Sequence, residues 1–466
     1  MKLNDMGRLL VLAACACFAT ELVAQGAPAP PIQGTLAPVF ITDSPETPVT
    51  PDERPPSGGR VLGIGSWGSK HSFLTPSLSL SETLDSNPLL VGSNDGSYRG
   101  FTSVGGNVRW TQYMGRDADL FYSGTLRCDT RARLEGYSQF TNQQSVMIEK
   151  TIEFRNWNLL FDDQAQYSQG SSFGQSGMEG LGLMNTQITS TTLQSTSNSL
   201  QPILLPNQSI LIGRVSSLTN TSLVELDVHL NRRDTATLEA SYGLLHFDSS
   251  LLSDTNQFSV AGGYNRMINV RNSIALESAF TRFGYTGNGT TISTESVSAL
   301  YAMRVAGRSS LELGAGPQIT QSSVAGVNQQ YLGWQAHGTL QYQMRRVTLS
   351  ADGMRRITGG SGVLNGALTT TGQGTATLLP SRNWSASLHF GVSRNQLLSS
   401  VESYDTQFVG GILNRKSGRY TNLFLSYDLQ HQTNGSACTG PTCGYYGVRN
   451  VFAAGLTWNY HPIGVE

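Results

Sequence analysis

Tyr331–Arg345, YLGWQAHGTLQYQMR, alternates along its whole length. Leu332, Trp334, Ala336, Gly338, Leu340, Tyr342 and Met344 hold the even positions, while Gln335, His337, Thr339, Gln341, Gln343 and Arg345 stand among the odd ones. Successive side chains of a strand point to opposite faces, so this is one ribbon with an apolar face and a polar face. Globular strands usually run about 5–6 residues, and a tilted membrane-crossing strand needs about 9–11. Alone, the stretch would also suit a soluble sandwich, so the rest of the chain must decide.

The pattern resumes from His71 onward. Leu74, Pro76, Leu78 and Leu80 stand opposite Ser77, Ser79 and Ser81; Val104, Gly106, Val108 and Trp110 opposite Gly105, Asn107 and Arg109. Leu120, Tyr122, Gly124 and Leu126 alternate with Thr125 and Arg127; Val224, Leu226, Val228 and Leu230 with Glu225, Asp227 and His229. Val297 to Val305, Ala386 to Val392, Leu423 to Leu429 and Phe452 to Tyr460 repeat it. The period is two throughout and never 3.6.

The connections sort by parity. Every second one is short and carries arginine, at Arg116, Arg155, Arg232–Arg233, Arg271, Arg308, Arg345–Arg346, Arg382 and Arg415 with Arg419, a hairpin unit of about 37 residues with one interval doubled. The alternate connections are longer and rich in Ser, Thr, Gly and Asn, such as Thr286–Thr290 and Ser322–Gln329. Short turns on one rim and long loops on the other mark outer-membrane barrels, and a sandwich has no reason to sort its loops in this way. The doubled interval contains Ser171–Ile210, read as one long outer loop; an additional hairpin and twenty strands is the alternative. A sheet edge in lipid would leave backbone groups unpaired, so the strands must close. The prediction is an all-β, transmembrane, antiparallel up-and-down β-barrel of about 18 strands, within a range of 16–20.

Composition agrees. Charged residues are 14% against roughly 25% in soluble domains, and a net charge of −1 gives no reason to expect nucleic acid. Lys2, Arg8, the apolar Leu9–Ala19 and the small residues Ala24, Gly26 and Ala27 read as an export signal over residues 1–25. A rival lipoprotein box, Leu12-Ala13-Ala14-Cys15, would leave an apolar core shorter than the roughly 7–15 residues such segments carry. Nine of the seventeen prolines lie in Pro28–Pro56, which makes 26–60 a disordered periplasmic linker and leaves 61–466 for the barrel. Gly58–Gly68 stays unassigned.

Leu78–Asn87, LSLSETLDSN, resembles the opening strand of a family of bacterial outer-membrane β-barrel porins, some of whose members sit beside exopolysaccharide systems. Gly455–Tyr460 is similar to the terminal strand that the barrel-assembly machinery recognises. The chain departs from the family in carrying Leu84 where an aromatic is usual and in running on from His461 to Glu466. The resemblance implies an outer-membrane location and a porin-like channel for passive diffusion of small hydrophilic solutes. The alternatives are an outer-membrane component of exopolysaccharide export and a surface-anchoring barrel. Partners would be outer-membrane lipid, the assembly machinery and a periplasmic or export partner for the Pro-rich tail. A TonB-dependent transporter fits less well, since about 45 residues before the first strand cannot make a plug.

No enzyme chemistry emerges: no HExxH pair occurs, and Asp162 and Asp163 straddle opposite faces. No cofactor or metal site is read. His229, His337 and His389 fall on inward faces among polar neighbours. Cys438 and Cys443, flanking Gly440-Pro441 in the last long loop, form a disulfide candidate, and Cys128 falls on the lipid-facing parity. Charge on an alternating face must look into water, since near the midplane of the lipid side it would cost about 2–4 kcal/mol. The pore-lining candidates are therefore Arg109, Arg127, Asp129, Arg131, Arg133, Glu149, Glu153, Asp162, Glu225, Asp227, Glu239, Glu277, Glu312, His337, Asp352 and Asp428. Eighteen strands enclose a lumen too wide for side chains alone to fill, which predicts a water-filled passage with Ser171–Ile210 as its constriction or lid.

Overall fold

The computed structural model is one antiparallel sheet of nineteen strands. In chain order these are β1 (Phe73–Asp85), β2 (Arg99–Tyr113), β3 (Ala118–Thr130), β4 (Phe140–Glu153), β5 (Trp157–Gln169), β6 (Ser216–His229), β7 (Asp234–Phe247), β8 (Thr255–Asn269), β9 (Asn272–Tyr285) and β10 (Thr291–Val305). They continue as β11 (Ser309–Val324), β12 (Val327–Gln343), β13 (Val347–Thr358), β14 (Ala367–Ser381), β15 (Trp384–Leu397), β16 (Ser403–Lys416), β17 (Thr421–Gly435), β18 (Gly447–Asn459) and β19 (Ile463–Gly464). The structure describes 73–464 except 88–97, 114–117, 131–139, 155, 170–214, 232, 250–251, 270, 287–288, 306–308, 325–326, 345, 361–363, 382, 399–402, 419, 436–446 and 461–462; many side chains of β2–β4 are likewise outside the description. The expected export segment, the Pro-rich linker and Ser171–Ile210 lie outside the described residues.

Every strand from β1 to β18 pairs with its neighbours in sequence, and β1 pairs with β2 on one side and β18 on the other. The count is nineteen rather than eighteen because the ladder resumes after β18. Had the β18 register continued, Leu74 would face Pro462; it faces Ile463 instead. The pairing has slipped by one residue where it restarts as β19. The doubled arginine interval holds one connection, since β5 pairs directly with β6 from Trp157↔Val228 to Gln169↔Ser216.

One loop expectation fails. Ser322–Gln329 is not a long connection: Ser322 pairs with Gln329 and Val324 with Val327, leaving two residues to turn. The run of polar residues marks where the ribbon leaves its apolar surroundings, not where backbone pairing ends. Thr286–Thr290, by contrast, joins β9 to β10 as read from the sequence.

The distribution of side chains is inverted relative to a soluble protein. Outward positions such as Leu332 (81% exposed), Leu388, Phe390 and Leu425 lie bare, whereas Glu239, Ser298 and Thr320 on the inward face are buried to 1% exposure. Soluble monomers rarely expose contiguous apolar patches beyond a few hundred Å², and each of these side chains gains roughly 1.5–3 kcal/mol when removed from water. The outward apolar positions of β15 run from Trp384 to Val392; nine residues at ~3.3 Å, tilted ~40°, span roughly 23 Å, close to the ~25 Å apolar band of outer-membrane barrels.

Aromatics ring the short-turn rim of this band. Phe154 stacks on Trp157 with ring centroids 3.8 Å apart, and Trp458 meets Tyr460 edge-on at 5.7 Å. The Arg415 guanidinium lies 5.3 Å over the Trp384 ring. Tyr264 and Tyr301 each donate a 2.8 Å hydrogen bond, to Asp234 and Asn272 respectively. An apolar ring with a polar tip suits a surface that is greasy above and wet below.

Candidate functional site

The inward faces form the candidate site, and register decides which of their charges meet. Glu225 on β6 stands directly across from Glu239 on β7, and Asp227 accepts a 2.6 Å hydrogen bond from Thr237. Asp162 stands beside Leu223, which packs with Leu160 inside the sheet. On the far strands, Glu312 of β11 faces His337 of β12 at 3.6 Å. Glu277 of β9 lies within Coulomb range of His337, Glu312 and Arg356 of β13. Strands four places apart thus bring opposite charges together across the interior.

A second charged group links β15, β17, β18 and β1. His389 Nε2 lies 2.6 Å from Asp428 Oδ1 although β16 stands between them. Gly410 occupies the intervening position, and a Cβ there would strike both side chains. Beyond Asp428, Arg449 grips Asp85 through Nε and Nη2, the shortest contact being 2.7 Å. Asp85 also accepts the Asn87 amide at 2.8 Å, and Ser86 exchanges hydrogen bonds with the backbone of Asn450. The LDSN end of the family-like motif is therefore the seam where first and last long strands join.

The pore-lining candidates fare unequally. Asp162, Glu225, Asp227, Glu239, Glu277, Glu312 and Asp428 lie on the inward face and are buried, with exposures of 1–8%. His337 and Asp352 are half-buried there, and Gln373 donates to Asp352 at 2.7 Å. Arg109, Arg127, Asp129, Glu149 and Glu153 are placed by backbone register alone, paired with Ser123, Gly105, Ser103, Asp162 and Asn158, and their side chains lie outside the description. Arg131, Arg133, Cys438 and Cys443 lie outside the described residues. Asp162 and Asp163 do separate: Asp163 faces outward, held by Ser222 and Asn220. Among the described residues no group of three or more His, Cys, Asp or Glu could hold a metal ion.

The inward faces differ in exposure from one part of the sheet to another. Among the described residues, inward positions of β5–β11 are mostly buried, and the accessible ones concentrate on β12–β14, at Gln341, Gln343, Gln373 and Thr375. An apolar cluster at the long-loop end was not anticipated from the sequence. Phe283, Tyr285 and Ile292 cluster with Ile357 and Leu398, while Leu364 packs with Ala367 and Tyr404. The β13–β14 connection supplies Leu364 by turning inward. A Cβ at Gly359 would lie 3.3 Å from Thr255 and 3.6 Å from Phe283, on strands that are not its neighbours. Gly360 (φ 76°) and Gly366 (φ 83°) take the left-handed backbone this turn needs.

No protein-family model and no curated protein matches the chain. Among solved structures it is similar to Pseudomonas aeruginosa OpdK with vanillate (8% identity, 84% of this chain and 98% of that one, TM-score 0.42). It is similar also to Pseudomonas aeruginosa OccK2 (OpdF) in complex with glucuronate (8%, 83% and 97%, TM-score 0.43) and to BauA, the ferric preacinetobactin receptor from Acinetobacter baumannii (8%, 83% and 80%, TM-score 0.40). These likenesses assign no role to any residue here.

Proposed function

We propose that the chain is an outer-membrane β-barrel that passes small hydrophilic solutes by diffusion through a narrow, polar interior. One observation carries this reading: outward side chains are apolar and bare while inward ones are polar, an arrangement that is stable only with lipid outside. The long loops face the exterior, and the tail before Phe73 faces the periplasm, where the Pro-rich segment has a partner within reach. The barrel-assembly machinery and outer-membrane lipid are its other partners. Purified protein in planar bilayers should give stepwise conductance, and removal of Ser171–Ile210 should leave the steps in place; silence from both proteins overturns the channel.

The buried inward carboxylates support a second reading, a barrel that anchors or serves exopolysaccharide export rather than conducting on its own. Deleting Pro28–Pro56 separates the two. A channel keeps its conductance without the tail, whereas an export component loses its function in cells.

A further inference from the structure

The outward face of β13–β15 carries charge where the apolar band meets the long-loop rim. Arg355 on β13, Thr370 on β14 and Arg394 on β15 stand in one cross-strand row. Their backbones span two strand spacings, about 10 Å, so both long side chains can reach a single ligand placed over Thr370. Arg355 stacks 4.5 Å over the Trp334 ring, and its Nε is buried with no hydrogen-bond partner. The Arg394 side chain is 63% exposed and, among the described residues, meets one counter-charge, Asp405 at 3.7 Å. The row therefore retains one net positive charge on a wall where lipid, not water, is the neighbour.

Toward the midplane the wall beneath this row loses its side chains. Gly338, Gly353, Gly372 and Val392 follow in one register row, then Leu340, Ala351, Gly374 and Phe390. Leu313 leans over Gly338 from one flank and the Phe390 ring over Gly374 from the other, whereas a Cβ at Gly353 would meet only the Thr371 carbonyl, at 3.6 Å. A furrow with a flat floor and apolar banks runs down from two arginines.

We propose that this face binds a phosphate-bearing lipid of the leaflet on the long-loop side, its phosphate held by Arg355 and Arg394 and one acyl chain lying in the furrow over Gly353. Guanidinium donates in a fixed fork that matches phosphate oxygens, and a cation at the end of an apolar wall gains most from an anion confined to the same depth. The site rests on the membrane reading above.

Native mass spectrometry of the full-length protein in detergent micelles tests it, with phosphatidic acid and diacylglycerol of identical acyl chains as probes. The expected preference for phosphatidic acid is about tenfold, the scale of one or two charge-assisted hydrogen bonds. Arg355→Gln with Arg394→Gln should remove that preference, Arg355→Lys with Arg394→Lys should keep part of it, and Gly353→Leu should weaken both lipids alike by filling the furrow. Equal binding of the two lipids, or a glutamine double variant that retains the preference, overturns the proposal. So does inorganic phosphate that binds without lipid and displaces phosphatidic acid, which would mark a free-anion site. Flotation with vesicles keeps the two readings apart: protein that fails to float removes the membrane reading, while protein that floats without a phosphate preference removes this site alone.

Discussion

Asp85→Ala should cost the folded barrel roughly 3–5 kcal/mol, the scale of breaking a buried, hydrogen-bonded ion pair. The Arg449 and Asp85 side chains are 7% and 4% exposed, and three hydrogen bonds join them. With Asp85 gone, the guanidinium stays buried on β18, and the Asn87 amide loses its acceptor as well. Urea titration of the gel-mobility difference between folded and unfolded barrel measures the effect. Asp85→Leu with Arg449→Met should recover most of the loss, because an apolar pair of similar volume takes both buried charges away together. Arg394→Gln is the contrast: its partner Asp405 is 42% exposed, and such exposed pairs contribute about 0–1 kcal/mol. If Asp85→Ala and Arg394→Gln behave alike, the seam is not latched by this pair.

The outward half of this protein could be read from the sequence, and the inward half could not. Alternation alone placed Leu332, Trp334 and Leu340 on one face, because the period of a strand is fixed by its backbone. Which inward residues touch depends on register between strands far apart in sequence. Asp85 and Arg449 are separated by 364 residues, and His389 reaches Asp428 only because Gly410 leaves the path open. Polarity was a poor guide to strand ends: Ser322 and Gln329 look like loop residues yet pair, since a ladder continues into water wherever its donors and acceptors still face each other. The aromatic rim, by contrast, had a visible signal, with Trp157 and Trp384 each two residues after a turn arginine. The apolar cluster had one as well. Gly359-Gly360 and Gly366 bracket Leu364, and paired glycines around a leucine in an outer loop signal a chain that turns back on itself.

That cluster makes the second large effect. Hydrophobic constrictions close aqueous paths by shedding water, so removing one should raise single-channel conductance by at least about twofold. Leu364 is 5% exposed and sits with Ala367 and Tyr404, next to the group formed by Phe283, Tyr285 and Ile292. Replacing residues 360–365 by a short Gly-Ser turn withdraws Leu364 and leaves every strand intact. Gly366→Val reaches the same end by another route. Its Cβ would strike Cδ1 of Ile292, and at φ 83° a β-branched residue is strained whatever the space around it. The connection must then swing away from β9 and β10. The barrel itself should remain folded, because β13 and β14 stay paired from Val347↔Leu378 to Thr358↔Ala367. Bilayer recordings of both variants decide the matter. Conductance equal to the parent in both would mean that solutes pass elsewhere, along the accessible inward faces of β12–β14, and that the apolar cluster only stiffens the outer rim.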